Sequence, residues 1–443
     1  MDTTRSTSPK RRRVHEEEFE DGPPRKRSAS RSPPNASPTY RIAERPARGY
    51  SREDSDDERR YRERRYSNSS PRSRSGSHSS SRRRSHSPGA TPPTKPTQLH
   101  YKPTLILRGH KKPISLVRFS PDGRYIASAS SDCTIKLWNA HTGALEHTLE
   151  AHLAGISALT WSPDSKILAS GSDDKSIRLW DPQTGLAHPT PLLGHHNYVY
   201  SLCFSPKGNM LVSGSYDEAV FLWDVRAARV MRSLPAHSDP VSSVDFVRDG
   251  TLIVSCSHDG LIRVWDTATG QCLRTIVHED NAPVTCVRFS PNGRYILAWT
   301  LDSCIRLWNY IEGKGKCVKT YQGHANKKFS ITGAFGIYGA AKLGDGQYAF
   351  VASGSEDGNV VLWDVSSKNV LQRLEGHTDT VLAVDTHPTE RVIVSAGLDR
   401  TVRVWAAVEP PAGQEDAVVE NAVKEEANGY DPDTLPPNPF AEA

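Results

Sequence analysis

Between Gly194 and Val225 (GHHNYVYSLCFSPKGNMLVSGSYDEAVFLWDV) apolar residues alternate with polar ones or gather in short β-rich runs. The runs are Tyr198–Phe204, Met210–Ser215 and Ala219–Val225, separated by the turn clusters SPKGN and YDE. This pattern predicts three short strands and two tight turns. Close copies of it fill the chain from about residue 104 to residue 406. Each copy closes on a tryptophan: Trp138, Trp180, Trp223, Trp265, Trp308, Trp363 and Trp405, spaced by 42 or 43 residues except for one interval of 55. Six positions before each stands an aspartate: Asp132, Asp174, Asp217, Asp259, Asp302, Asp357 and Asp399. A histidine opens six of the seven units, at His110, His152, His195, His237, His324 and His377, and the fifth has Asp280 there.

A period of about 40–45 residues running from Gly-His to Trp-Asp is the signature of WD-repeat proteins. The chain resembles that family over about 300 of its 443 residues. The expected fold class is all-β: a seven-bladed WD-repeat β-propeller over residues 98–406, with disordered N-terminal and C-terminal extensions. The resemblance implies a hydrogen-bonded ladder through each blade, formed in the third copy by His195, Ser213, Asp217 and Trp223. Such partners matter, because an unpaired polar group inside a protein costs roughly 1–3 kcal/mol. His, Ser and Asp could also suggest a hydrolase triad, but no reaction needs seven nucleophiles. The constellation reads as structure.

Charge is unevenly spread. Residues 1–100 carry 24 Lys and Arg against 13 Asp and Glu, residues 101–405 carry 31 against 29, and residues 406–443 carry 1 against 9. A net +5 therefore conceals a basic head, a near-neutral body and an acidic tail. Seven cysteines, an odd number with no C-x-x-C pair, read as free thiols in a reducing compartment. Neither a signal peptide nor a run of about 18 apolar residues is visible, which predicts a soluble intracellular protein without membrane partners.

The head, residues 1–97, is built from Ser, Arg and Pro with too few aliphatic residues to offset ordering entropy, and reads as disordered. Its clusters Pro9–Val14 (PKRRRV) and Pro24–Arg27 (PRKR) resemble a nuclear localisation signal. The stretch Ser70–Pro88 (SPRSRSGSHSSSRRRSHSP) resembles the Arg/Ser segments of RNA-processing proteins and offers nonspecific nucleic acid contact. Ser8, Ser32, Ser37, Ser70, Ser87 and Thr91 each precede a proline and are candidate sites for proline-directed kinases. Leu105–Leu107 is placed to close the ring by adding an outer strand to the blade that ends at Trp405. The long interval comes from Gly336–Gly346 (GIYGAAKLGDG), whose glycines predict an exposed loop rather than another strand. The tail, residues 407–443, is acidic, Pro-rich and expected to be disordered; it carries an Asn-Pro-Phe tripeptide at Asn438–Phe440.

No phosphate-cradling loop, metal-binding motif or nucleophile elbow is found in its required context, so neither an enzyme nor a cofactor or metal site is expected. The sequence between the blade signatures is more informative. The stretches HSDPVSSVDF, DTATGQCLRT and DNAPVTCVRFSPNGRYILAWTLD closely resemble the WD-repeat subunit of COMPASS/MLL-type histone H3 lysine-4 methyltransferase complexes. That resemblance implies two partner sites on opposite faces. In the first, the central opening, an arginine of a partner peptide or of the histone H3 tail enters between two aromatic rings. Carried over by position, this pocket comprises Ser157, Asp173, Tyr200, Tyr216, Ser242, Phe329 and Ser330. One ring wall is missing, since Thr332 stands where the family has phenylalanine, and His258 replaces another aromatic at the rim. The second is a cleft between blades five and six for an apolar, acidic segment of another subunit, comprising Asn292, Tyr295, Leu307, Val318, Lys319, Phe335 and Ile337. The implied role is a non-catalytic nuclear scaffold for a SET-domain catalytic subunit and its companions. A spliceosomal RNA-processing factor and a ubiquitin-ligase substrate receptor are the rival expectations.

Overall fold

The computed structural model describes residues 95–313, 315–339 and 347–408. The basic head up to residue 94, the tail from residue 409 and positions 340–346 of the insertion lie outside the described residues. Seven antiparallel sheets form the blades of a propeller, six with four strands and one with three. The third copy shows the pattern. Val199–Phe204, Met210–Ser215 and Ala219–Asp224 pair in sequence, and Arg229–Pro235 adds an outer strand. In the second blade Pro189 and Pro191 take the place of backbone donors, and the outer strand shrinks to the isolated bridges Ile177↔Leu192 and Trp180↔Ala187.

The ring closes as the sequence predicts. Tyr101–Arg108 pairs antiparallel with Thr401–Ala407, Leu105 opposite Val404 and Leu107 opposite Val402. The two ends of the ring are thereby tied together, Val408 N–H donating to His100 O at 2.7 Å.

The ladder forms in five blades, those opened by His110, His152, His195, His237 and His377. In the third, Trp223 Nε1–H donates to Ser213 Oγ (2.7 Å), and Ser213 Oγ in turn lies 2.6 Å from His195 Nε2. Because a carboxylate only accepts, His195 carries a proton on Nδ1 and donates to Asp217 Oδ2 (2.8 Å). Burial opposes ionisation of Asp217, but the hydrogen bond and charge of His195 and the N–H groups of His196 and Ala219 outweigh it, holding the carboxyl down at about 2. The repeated aspartate has a second task in all seven blades. Its Oδ1 accepts the N–H two residues on, from Thr134, Ser176, Ala219, Leu261, Cys304, Asn359 and Thr401. This fixes turns whose next residue has positive φ, among them Cys133 (70°) and Glu218 (67°).

Blades five and six depart from the expected ladder. In blade five Ala298 replaces the serine, leaving buried Trp308 Nε1 without an acceptor, and Arg306 reaches Asp302, Thr300 and Asp280 instead. In blade six Ser353 is captured by Trp299 of blade five (3.0 Å), Trp363 donates to Gln322 O (2.8 Å), and both nitrogens of buried His324 have no partner. Burial, opposed by the charges of Asp357 and Asp302, pushes His324 down to about 4. Trp299 reaches Ser353 only because residue 333 is glycine, since a Cβ there would lie 2.5 Å from the indole and 2.1 Å from Ala352 O.

The glycine-rich insertion also differs from its expectation. Gly333–Gly339 is a strand paired with Gln347–Gly354, so the first residues of the insertion lengthen a hairpin rather than forming a loop. Alternating Phe335, Ile337 and tight packing of Gly336 on Phe350, where a Cβ would sit 2.1 Å from the ring, sustain the pairing despite the glycines. No helix lies among the described residues, and none is long and apolar enough to cross a membrane.

Candidate functional sites on the two faces of the ring

Six of the seven inner strands carry a β-bulge, and the bulged residues are Ser115, Ser157, Tyr200, Ser242, Thr285 and Leu382. A bulge re-aims the side chain it displaces. Five of these six, all but Thr285, remain partly exposed, on the surface that faces the central opening. Three of them are first-site residues named from the sequence: Ser157, Tyr200 and Ser242. Their strands begin at the first face, where Asp173 and Tyr216 stand in the turns that end the second strands.

Ser157 Oγ donates to Asp173 Oδ1 at 3.1 Å. The Tyr200 and Tyr216 rings meet edge to face at 5.8 Å, and Tyr198, not named from the sequence, joins both at 6.5 and 5.9 Å. Burial, then the charge of Asp173, raises the Tyr200 phenol, and burial likewise raises Asp173. A guanidinium placed here would meet an aromatic face and a carboxylate that gains by its arrival. Ser242 is partly committed elsewhere, donating to Val284 O at 2.6 Å and so strapping blade four to blade five. Phe329 and exposed Ser330 belong to a loop held by Glu356, whose Oε1 accepts the N–H groups of Lys327, Lys328 and Phe329 at 2.6–3.1 Å. Blade six lacks the bulge, its register running unbroken from Gly333 to Gly339. Thr332 accordingly ties its N–H to Leu382 O (2.8 Å) and buries an unpartnered hydroxyl, offering no second ring. His258 has its Nε2 buried without a partner, and burial lowers its pKa, opposed by Asp239 and Asp259.

At the opposite ends of the strands all seven residues named for the second cleft line one cavity of about 510 Å³. Asn292 comes from the first turn of blade five, Tyr295 from the start of its second strand, Leu307 and the pair Val318, Lys319 from its third and fourth strands, and Phe335 and Ile337 from the inner strand of blade six. Ile337 and Val318, 53% and 45% exposed, add open apolar surface to its lining. Lys319 Nζ donates to Val365 O (2.8 Å) and Ser366 O (2.7 Å), which leaves one N–H and the charge free. The cavity is longer than the sequence suggests. It continues across blade six to Thr386, His387, Pro388, Glu390 and Val392 of blade seven and to Tyr101 of the closing strand.

The central opening also holds a polar ring that no sequence motif marks. The fifth residue of successive inner strands is Arg118, Thr160, Cys203, Asp245, Arg288 and, in blade seven, Asp385. Arg118 lies 3.6 Å from Asp385 and Arg288 4.0 Å from Asp245, across blade boundaries. Asp245 accepts the N–H of Phe289 (2.8 Å) and the Cys203 thiol (3.2 Å), yet burial prevails and pushes it up to about 6. The signal was available as one polar position in each V-x-F-like triplet. Its members differ in type from blade to blade, which hides the pattern.

The profile of the WDR5 beta-propeller domain matches residues 106–406. Among curated relatives, a WD repeat-containing protein 26 homolog of Arabidopsis thaliana is 38% identical over 96 residues, 21% of this chain and 15% of that protein. A WD repeat-containing protein WDS homolog of the same plant is 33% identical over 101 residues, 23% and 18% of the two chains. Pre-mRNA-processing factor 19 of Bos taurus is 41% identical over 56 residues, 13% of this chain and 11% of the other. Each match thus spans less than a fifth of the relative's length. With seven blades, closure by the first strand and a family match across nearly the whole ring, the chain belongs to the WDR5-type β-propellers of the WD-repeat family, a fold built for protein interaction.

Proposed function

We propose that this protein is a non-catalytic nuclear scaffold that assembles a histone H3 lysine-4 methyltransferase, a SET-domain subunit supplying the methyl transfer. The observation that carries the reading is the second cleft. Seven residues chosen by resemblance alone, from four strands and a turn, line one apolar cavity with a single lysine able to meet an acidic partner. A rigid, preformed pocket spends little of its binding energy on ordering itself. Arginine capture at the central opening is the weaker contact, because Thr332 supplies no second ring. Import into the nucleus is assigned to the clusters PKRRRV and PRKR.

A splicing role is the second reading. It is favoured by the Arg/Ser stretch Ser70–Pro88 and by the similarity to a protein named as a pre-mRNA-processing factor. Purification of the full chain from nuclear extract separates the two. Co-purification of a SET-domain protein with lysine-4 methylation of histone H3 supports the scaffold, whereas spliceosomal proteins without that activity overturn it.

A further inference from the structure

The cavity on the second face runs toward the place where the chain leaves the ring. Its blade-seven wall includes Val392, which pairs with Ala406, and Tyr101, which pairs with Ala407. Val408, the last described residue, is bonded to His100, one residue from Tyr101. The remaining 35 residues therefore depart from the rim of the cavity itself. Their sequence begins EPPAGQEDAVVENAVKEE, in which Val418, Val419 and Val423 stand among Glu415, Asp416 and Glu420. Elsewhere residues 409–443 offer few aliphatic side chains, Leu435 among them.

We propose that the tail segment Glu415–Val423 occupies the second cleft of its own ring, so that a partner subunit must displace it. The proposal rests on the reading of that cleft as a dock for apolar, acidic segments and names an intramolecular occupant for it. Reach is sufficient. Eight residues from Val408 to Asp416 extend about 26–29 Å, and at the exit point Tyr101 already packs on Phe350 of blade six, another lining residue of the same cavity, with ring centroids 6.3 Å apart. Chemistry fits as well. Val418 and Val419 meet the walls formed by Phe335, Ile337 and Leu307, and the flanking carboxylates meet the free N–H of Lys319.

The consequence is a threshold. Tethering across a linker this short gives an effective concentration of order 1 mM. A segment that binds with a dissociation constant of about 10–100 μM as a free peptide would then weaken any competitor roughly 10- to 100-fold. Assembly on the cleft would respond to whatever withdraws the tail.

The test uses a fluorescein-labelled peptide of residues 413–426 and fluorescence anisotropy. It compares the full chain with a full-length Val418→Asp/Val419→Asp variant, whose substitutions lie outside the ring. The proposal predicts that the variant binds the peptide at least tenfold more tightly than the wild type, and that adding Phe335→Ala to the variant abolishes the difference. Equal affinity for both proteins would overturn tail occupancy while leaving the cleft a dock. Binding to neither would also overturn it, and the docking reading would then stand or fall on the co-purification alone.

Discussion

Replacing Ser213 by alanine removes one hydroxyl that serves two partners. Trp223 Nε1–H would lose its acceptor and His195 Nε2 its partner, in a site where Ser213 and Trp223 are fully buried and His195 is 6% exposed. Water cannot replace either bond without entering the blade. Each buried group left unpaired costs about 1–3 kcal/mol, and His195 can recover part of its share by adjusting toward Asp217, so a loss of about 3 kcal/mol is expected. Equilibrium urea unfolding followed by tryptophan fluorescence measures it, with an unchanged m value showing that the ring itself is intact. Blade five supplies the converse experiment, since it already carries Ala298 and an orphaned Trp308 Nε1. Ala298→Ser should stabilise by about 1 kcal/mol. A loss below 1 kcal/mol for Ser213→Ala, together with no gain for Ala298→Ser, would refute the view that these ladders hold the blades.

Other expectations follow from the irregular blades and the first face. His324 is neutral in the fold, with its pKa lowered to about 4 against an ordinary 6.5. Its contribution to stability is therefore full above pH 6.5 and is lost as pH falls toward 4. At pH 5 this amounts to about 2 kcal/mol, so His324→Leu should flatten the decline in urea stability between pH 7 and pH 5. Asp245, raised to about 6, acts in the opposite sense, its burden growing as pH rises from 3.8 to 6, so the difference between variant and wild type is the quantity to read. Gly333→Ala forces a Cβ against Ala352 O and the Trp299 indole and should cost more than 2 kcal/mol, visible as a lowered thermal midpoint by circular dichroism. Tyr200→Ala should weaken binding of an arginine-containing histone H3 peptide about tenfold in calorimetry, the value of one cation–π wall.

What the sequence disclosed depended on how local the cause was. The strands of the third copy, the turn aspartates and the closing pair Leu105–Leu107 follow from alternation and spacing within a few dozen residues, and the structure places them as expected. The ladder was legible in the five blades where serine precedes tryptophan by ten residues and keeps it as its partner. It failed at His324 because Trp299, from the neighbouring blade, takes Ser353, a competition between residues 54 apart that no single repeat reveals. The insertion was misjudged at Gly336–Gly339 because glycine count outweighed the alternation of Phe335, Ile337 and the partner strand's Ala349 and Val351. The seven cleft residues could be named through family resemblance, whereas the blade-seven half of the cavity, with Tyr101 and Val392, exists only once the ring has closed.

The most direct test of the scaffold is a quantitative comparison of purified complexes. The full chain, its Tyr295→Ala/Phe335→Ala variant and its Tyr200→Ala variant are each recovered from nuclear extract, after circular dichroism has shown that all three keep the ring. The account predicts that the cleft variant loses at least nine-tenths of the SET-domain protein and of the histone H3 lysine-4 methylation, while Tyr200→Ala retains most of both. Equal recovery by the cleft variant and the wild type would contradict it.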